Sequence, residues 1–404
     1  MRILIINQPY WPDVVATAQH MADWTAHLAA KGHTVTVIAS RSVYGQQGAV
    51  LPKVETHAGV EIHRVGSNLF RKGRILTRLV DFGLFHVRAL WKAMTLPRQD
   101  VVVCLTTPPF IGVVGMLVKF FRGSRFVQYE MDLYPDIAIA LGTIKKGSMA
   151  AGFFEWVHCR VLRAADRVIV LGRCMARVVA SKGIAAEKMV LVTPWADPGE
   201  IRAVGHEENA FCERHNLQGK FVVMYAGNLG LGHDIQTMLA AMERLRDDAG
   251  VQFVFVGGGR RMKEIGAAVE GGKLGYVTLL DYMPREDLGE MLCAADVHVI
   301  SQGEGTCGLI VPSKLYGILA AGRPSIYIGP GGTEIALTLA EGDCGTVLMP
   351  GDVEGFLAAV ARLRQLPGGS FVDRAGAELA RGHTKEQCVE SLTRVVEGLA
   401  AGAR

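Results

Sequence analysis

Apolar residues in the first half of the chain come in short unbroken runs. The segments between them carry apolar positions at helical spacing. The runs at 2–7, 34–39, Val60–Val65, 101–105, Arg125–Tyr129, 167–171 and 189–193 have the length and β-branched content of buried strands. Residues 16–31 have the periodicity of an amphipathic helix that stops at Gly32-His33. Strands alternating with helices predict a parallel sheet covered on both faces. A stretch rich in proline, glycine and charge, PWADPGEIRAVGH at 194–206, interrupts the pattern and predicts an interdomain linker. The alternation then restarts, with strands at Phe221–Ala226, Val251–Val256, 276–280, 297–300, Ser325–Ile328 and Gly345–Leu348 and a helix at 235–246. Residues 352–400 read as helical. The expected class is α/β, with two doubly wound Rossmann-like domains at 1–198 and 199–375 and a helical tail at 376–404 that packs back on the first domain. Ligands of such folds bind at the carboxyl ends of the strands.

Composition narrows the class. The chain has 404 residues, half of them apolar and a fifth charged, which describes a globular protein too long for one ordinary core. A formal charge of +4 is small for a nucleic-acid binder, and no nucleic-acid-binding signature is present. Eight scattered cysteines without a CxxC pair suit reduced, buried thiols better than disulfides or a metal site. The N-terminus MRILIINQPYWP reads as a strand entering a loop and lacks the features of a signal peptide. No apolar run is long enough to span a bilayer. These features together point to a cytoplasmic enzyme.

The chemistry is expected in loops that follow strands. The segment 294–324, AADVHVISQGEGTCGLIVPSKLYGILAAGRP, reads as a strand, a polar loop and a helix entered through Pro312-Ser313-Lys314. Proline is favoured at the first helical position. Ser313 and Lys314 would then set N–H groups, a hydroxyl and an ammonium at the positive end of a helix dipole, an anion site. Two glycine turns, Ala226-Gly-Asn-Leu-Gly-Leu-Gly-His-Asp234 and Val256-Gly-Gly-Gly-Arg-Arg-Met-Lys263, would let backbone approach a ligand closely. Asn228, His233, Arg260, Arg261 and Lys263 are their functional side chains, and Tyr282 forms an edge for a flat base. In the first half, Thr17 follows the first strand, either capping a helix or touching ligand. The loop Glu130-Met-Asp-Leu-Tyr-Pro-Asp136 offers Asp132, which would contact a hydroxyl or orient an acceptor.

The strings YAGNLG, FVFVGGG, LLDYMP, AADVHVIS and PSKLYGILAAGRP, preceded by YWPDVVATAQ, GHTVTVIAS, MDLYPD, ADRVIVLG and VLVTPWAD, resemble family 4 glycosyltransferases of the GT-B fold. The resemblance spans nearly the whole chain, and the bacterial transferases of colanic acid and O-antigen synthesis are the most similar subgroup. It implies retaining transfer of a hexosyl or N-acetylhexosaminyl group from a nucleotide-sugar, usually a UDP-sugar, to an acceptor hydroxyl. No metal or other cofactor is implied, because N–H groups and cations would stabilise the departing diphosphate. The catalytic set carried over is Asp132, Glu304 and Lys314. The donor set is Thr17, Gly227, Asn228, His233, Gly258, Arg260, Lys263, Tyr282, Pro312, Ser313, Lys314, Leu315 and Glu334. Family members often carry two glutamates, and the second position falls on Gly317 here, so the ribose contact must come from elsewhere, with Glu334 one source. The glycine-loop Arg/Lys pair appears as Asn228 and His233. These departures leave open a UDP-sugar epimerase or a non-catalytic sugar-nucleotide-binding subunit.

A basic stretch with interleaved apolar residues runs through 64–98: Arg64, Arg71, Lys72, Arg74, Arg78, Arg88, Lys92 and Arg98 against Asp81. Lys119-Phe-Phe-Arg122 adds to it. Such a surface suits an anionic membrane, and the resemblance implies a polyprenyl-diphosphate-linked glycan as acceptor. Peripheral docking on the inner face of the plasma membrane is the expectation.

Overall fold

The computed structural model describes residues 1–43, 50–66, 75–201, 204–271, 274, 276–367 and 369–401, without the side chains of 75–78 and 401. The chain divides into two compact units. One is Met1–Thr193 together with Gln387–Arg404, and the other is Pro194–Glu386. The division falls a few residues before the expected boundary at 198/199. The segment 376–404 is shared: its first part belongs to the second unit, and its last helix belongs to the first.

The first unit holds an eight-stranded sheet. Its strands are β1 (Arg2–Ile6), β2 (Thr34–Ser40), β3 (Val54–His57), β4 (Val60–Val65), β5 (Val101–Cys104), β6 (Arg125–Tyr129), β7 (Arg167–Val170) and β8 (Met189–Leu191), in the order β3-β4-β2-β1-β5-β6-β7-β8. All neighbours are parallel except β3 and β4. The central strands are buried almost throughout, as expected for a sheet covered on both faces. Strand β3 has no counterpart among the expected strands. Its sequence, VETH, is polar at three of four positions, and the antiparallel pairing rests on a two-residue turn in which Ala58 (φ 49°) and Gly59 (φ 78°) are both left-handed.

Helices α1 (Ala16–Ala30), α2 (Ile75–Thr95), α3 (Gly112–Arg122), α4 (Asp136–Ala140), α5 (Met149–Ala164) and α6 (Arg173–Ser181) connect these strands. In α1 the fully buried Trp24 donates its indole N–H to Thr393 Oγ1 at 3.2 Å. That bond ties the C-terminal helix to the first unit.

The second unit repeats the architecture. Between its strands lie α7 (Ala210–Arg214), α8 (Gln236–Leu245), α9 (Met262–Glu270), α10 (Leu288–Cys293), α11 (Lys314–Ala320) and α12 (Glu334–Gly342). The strands are β9 (Phe221–Ala226), β10 (Val251–Val256), β11 (Val277–Leu280), β12 (Val297–Ser301), β13 (Ser325–Ile328) and β14 (Gly345–Leu348), ordered β11-β10-β9-β12-β13-β14. Every pair is parallel. Phe253, Phe255, Val299, Ile326 and Phe356 belong to one buried cluster on this sheet. The residues at 352–400 form three helices, α13 (Val353–Arg364), α14 (Val372–Ala380) and α15 (Lys385–Ala401). Chain order reverses between β9 and β12, so the crevice beyond their carboxyl ends is where this topology places a ligand.

Candidate active site

Two glycine loops in the second unit lock onto each other at that crevice. The Gly227 N–H bonds Val256 O at 2.8 Å, the Leu229 N–H bonds Gly258 O at 2.7 Å, and the Arg261 N–H bonds Leu229 O at 3.0 Å. Side chains would break this contact. A Cβ on Gly257 (φ +121°) would stand 2.5 Å from Gly227 O, and one on Gly259 (φ +120°) 2.5 Å from Leu229 O. Glycine at both places lets backbone meet backbone. Tyr282 overhangs this surface, half exposed, with its ring 3.0 Å from where a Gly258 Cβ would sit.

Lys314 reaches into the same place from α11. Its Nζ stands over the Tyr225 ring, 3.5 Å from the centroid, and 3.5 Å from the Cβ position of Gly227. A cation on an aromatic face is held by the ring quadrupole. The ammonium is buried and has no hydrogen-bond partner among the described residues. Burial brings its pKa down from 10.5 to about 7. Tyr225 stays neutral because burial raises its phenol, and its hydroxyl donates to Asn228 O at 3.1 Å. His233 is held neutral, at about 4, mainly by burial and then by the charge of Lys314, with Arg261 adding to it. Its Nδ1 lies 2.6 Å from Ser301 O. The carbonyl can only accept, so Nδ1 carries the proton and Nε2 is left as an acceptor. A buried ammonium with nothing to bond is costly alone, and an anion placed against it would reverse that cost.

Several expected residues meet here and others do not. Gly227, Asn228, His233, Gly258, Tyr282 and Lys314 come together. Arg260 and Lys263 are exposed, whereas Arg261 is turned inward with its Nε buried and without a hydrogen-bond partner among the described residues. Of the three cations of the second glycine loop, Arg261 is the one with a buried side-chain nitrogen. Pro312 does not occupy the first helical position. Ser313 is the N-cap, with no side-chain cap bond, and α11 is only seven residues long. The anion argument consequently rests on the Lys314 ammonium more than on a dipole. Leu315 is fully buried in the core and has only backbone to offer. Glu304 is exposed in a short 3-10 turn, and Glu334 is buried in the first turn of α12 behind the Thr333 cap. Tyr225, which reads in sequence as an ordinary core strand residue, is the partner that strand periodicity conceals.

The first unit presents its own cluster beyond β6. The Asp132 N–H donates to Thr106 Oγ1 at 3.3 Å, and burial together with the neighbouring Glu130 lifts its carboxyl to about 6. Glu130 is fully buried and 3.2 Å from His158 Nε2. A cavity of about 10 Å³ beside this pair is lined by Thr106, Gln128, Glu130, Tyr134 and His158 among others, enough for about one water. Among the described residues, Asp136, Glu155 and His158 form a group with metal-ligand spacing. Lys182 Nζ already bridges Asp136 and Glu155 at 2.9 and 2.7 Å, so an ammonium fills the place of a cation. Thr17 lies in the first turn of α1, whose N-cap is Val15, and so does not cap the helix.

Within the basic stretch at 64–98, Arg88 and Lys92 are partly exposed and Arg98 is exposed. Arg71, Lys72 and Arg74 lie outside the described residues, as does the side chain of Arg78. Arg64 is buried, 2.6 Å from Glu55. Lys119 pairs with Asp166 at 2.8 Å, and Arg122 donates to Met94 O and Leu96 O at 3.2 and 2.8 Å, tying α3 to the end of α2. Val87, Trp91, Phe120 and Phe121 are exposed. No helix among the described residues is long and apolar enough to cross a membrane.

Two Rossmann-like domains, the second carrying a buried cation beside a glycine loop at its switch point, give the chain the GT-B fold. A glycosyl transferase 4-like domain matches residues 16–195 and a glycosyl transferases group 1 domain matches residues 220–365; the chain belongs to the family 4 glycosyltransferases. It is 27% identical over 296 residues to the probable glycosyltransferase WbjE of Pseudomonas aeruginosa, covering 72% of each chain. To the putative colanic acid biosynthesis glycosyl transferase WcaI of Escherichia coli it is 25% identical over 395 residues, covering 94% of this chain and 96% of that one. A GDP-mannose-dependent alpha-mannosyltransferase of Mycobacterium tuberculosis is 25% identical, with 84% of this chain and 82% of the other covered. Among solved structures, sucrose-phosphate synthase of Thermosynechococcus elongatus superposes with TM-score 0.81 at 16% identity and full coverage of both chains. Anabaena HepE in complex with UDP-glucose gives 0.72 at 13% identity, covering 98% and 100%. The fold is shared with both.

Proposed function

We propose that this glycosyltransferase moves a sugar from a nucleoside-diphosphate sugar, UDP-linked, to a hydroxyl of a polyprenyl-diphosphate-linked glycan in surface polysaccharide synthesis, with retention and without a metal. The Lys314 ammonium carries the proposal: it is buried, has no hydrogen-bond partner among the described residues, and is perched on Tyr225 beside Gly227 of the first glycine loop. A departing diphosphate is an anion, and preformed cations at its position stabilise the transition state as charge develops. Arg261 supplies the second positive charge of this pocket. Tyr282 offers the exposed ring beside Gly258 on which a base can lie. In the first unit, Asp132 at the end of β6 is the group proposed to orient the acceptor hydroxyl. The name of the WcaI relative supports the polysaccharide setting, and the HepE complex supports a uridine nucleotide.

The mannosyltransferase relatives named for GDP-mannose make guanosine the competing base. A thermal-shift screen of UDP-, GDP- and dTDP-sugars in EDTA tests donor and metal independence together, since a ligand of the folded state raises the apparent Tm by mass action. A UDP-sugar is expected to give the largest shift. A GDP-sugar giving it would replace the base assignment.

A further inference from the structure

The first unit carries a row of aromatic rings that leads from open surface to the loop bearing Asp132. Met149, Phe153 and Trp156 recur at four- and three-residue spacing on α5 and so share one helix face. They are 94%, 58% and 54% exposed, far more than a core-facing stripe would be. Phe153 meets Trp156 at 6.2 Å and Phe154 at 5.6 Å between centroids. Phe154 stacks on Phe110 at 5.0 Å, and Phe110 meets Tyr134 edge-on at 6.5 Å. Tyr134 lies two residues beyond Asp132 and lines the small cavity with Phe110, Glu130 and His158. Phe110 sits at φ +66°, a left-handed backbone that a bulky residue adopts at a cost. A phenyl ring at that position is unfavourable locally, which fits a role for the ring itself.

We propose that this aromatic row seats the isoprenoid chain of the lipid-linked acceptor. The proposal rests on the acceptor class assigned above. The face is largely apolar and adaptable: a thioether, phenyl rings and an indole bind hydrocarbon by contact. The stripe from Met149 to Arg160 is ~16 Å long on α5, enough for several isoprene units. Cations bracket it. Lys145 and Lys146 are exposed in the turn before α5, and the Arg160 guanidinium lies over the Trp156 ring at 5.2 Å. An apolar chain with an anionic head matches both features. The rings pass from exposed (Trp156, Phe153) to partly buried (Phe154, Phe110, Tyr134), a course that a single chain can follow and a flat bilayer cannot.

The test uses the full chain with farnesyl diphosphate as probe, kept below its micelle concentration and read by saturation-transfer NMR on the isoprenoid methyls. Inorganic diphosphate and anionic phospholipid vesicles serve as separate arms. Phe153→Gln with Trp156→Gln changes only exposed side chains, so the fold is expected to stand, and an unchanged UDP affinity reports an intact second unit. Farnesyl diphosphate should bind saturably, inorganic diphosphate should compete only weakly because it reaches the cations and not the rings, and the double variant should bind farnesyl diphosphate about tenfold or more weakly. Unchanged farnesyl diphosphate binding in the variant overturns the assignment, as does absence of binding to the wild type. If the variant loses vesicle binding alone, the row is a bilayer contact and the assignment also falls. Failure of every nucleotide-sugar to bind would instead remove the donor reading, and equal turnover of a lipid-free glycan would remove the acceptor reading. Neither result depends on the farnesyl arm.

Discussion

Lys314 is the residue on which the chemistry turns, and its charge state follows from its surroundings. The side chain enters a buried pocket with the Tyr225 ring and the Gly227 loop as neighbours. Among the described residues Tyr225 touches it and His233 and His298 feel its charge, and none of them is a carboxylate. Its pKa is about 7 in the fold against 10.5 as the ordinary value. The unfolded chain therefore binds more protons between about 7 and 10.5, so stability rises with pH across that window, and below it the full burial penalty remains. Lys314→Met is expected to raise Tm at about pH 6 and to change it far less at about pH 10, while weakening nucleoside diphosphate binding about tenfold or more. Calorimetric titration with UDP in buffers of different ionisation enthalpy checks the same point: the wild type should take up protons near neutrality, and the variant should not. Sequence alone offered Lys314, Asn228 and His233, because a basic or polar residue after a glycine turn is visible in one dimension. It could not separate Arg260 from Arg261, since neighbouring side chains of one loop point to different sides. Tyr225 was hidden for another reason: a tyrosine within FVVMYA satisfies strand periodicity and gives no sign that its face carries a cation.

At the scale of elements, the two glycine loops act as one unit because their backbones touch. Gly259→Ala is expected to cost about 2 kcal/mol or more through a left-handed alanine and a clash with Leu229 O. Donor affinity should fall with it, whereas Gly376→Ala, with nothing within 4 Å of the new methyl, should leave both stability and donor affinity close to wild type; urea unfolding and UDP titration of the two variants check this. Most strands and helices were legible in the chain because aliphatic runs of a buried parallel sheet and amphipathic helices differ in period. The strand β3 was not, since its polar, solvent-facing sequence resembles a loop until the Ala58-Gly59 turn folds it onto β4. The short α11 was misjudged at its start because Pro312 favours a helix entry without fixing which residue is first. Glu130 and His158 lie far apart in sequence, and only the fold of α5 across β6 makes them a pair.

For the whole molecule, two repeats of one architecture separate the expected roles, with the donor cation in one unit and Asp132 with its aromatic row in the other. The charge pattern of 64–98 suggests a basic surface; among the described residues Arg88 and Lys92 are partly exposed, Arg98 is exposed, and exposed apolar side chains lie with them. Arg64, Lys119 and Arg122 are engaged internally, while Val87, Trp91, Phe120 and Phe121 face out. Binding to anionic liposomes in flotation is therefore expected to fall strongly in Trp91→Gln with Phe120→Gln and to resist moderate salt. Loss on salt addition alone would restore the electrostatic account. The central claim is that Lys314 receives the diphosphate of a nucleotide-sugar, and the donor screen tests it most directly when wild type and Lys314→Ala are melted side by side in EDTA. A UDP-sugar should raise the wild-type Tm by several degrees and leave that of the variant nearly unmoved. Equal shifts in the two proteins, or no shift with any nucleotide-sugar, would contradict the account.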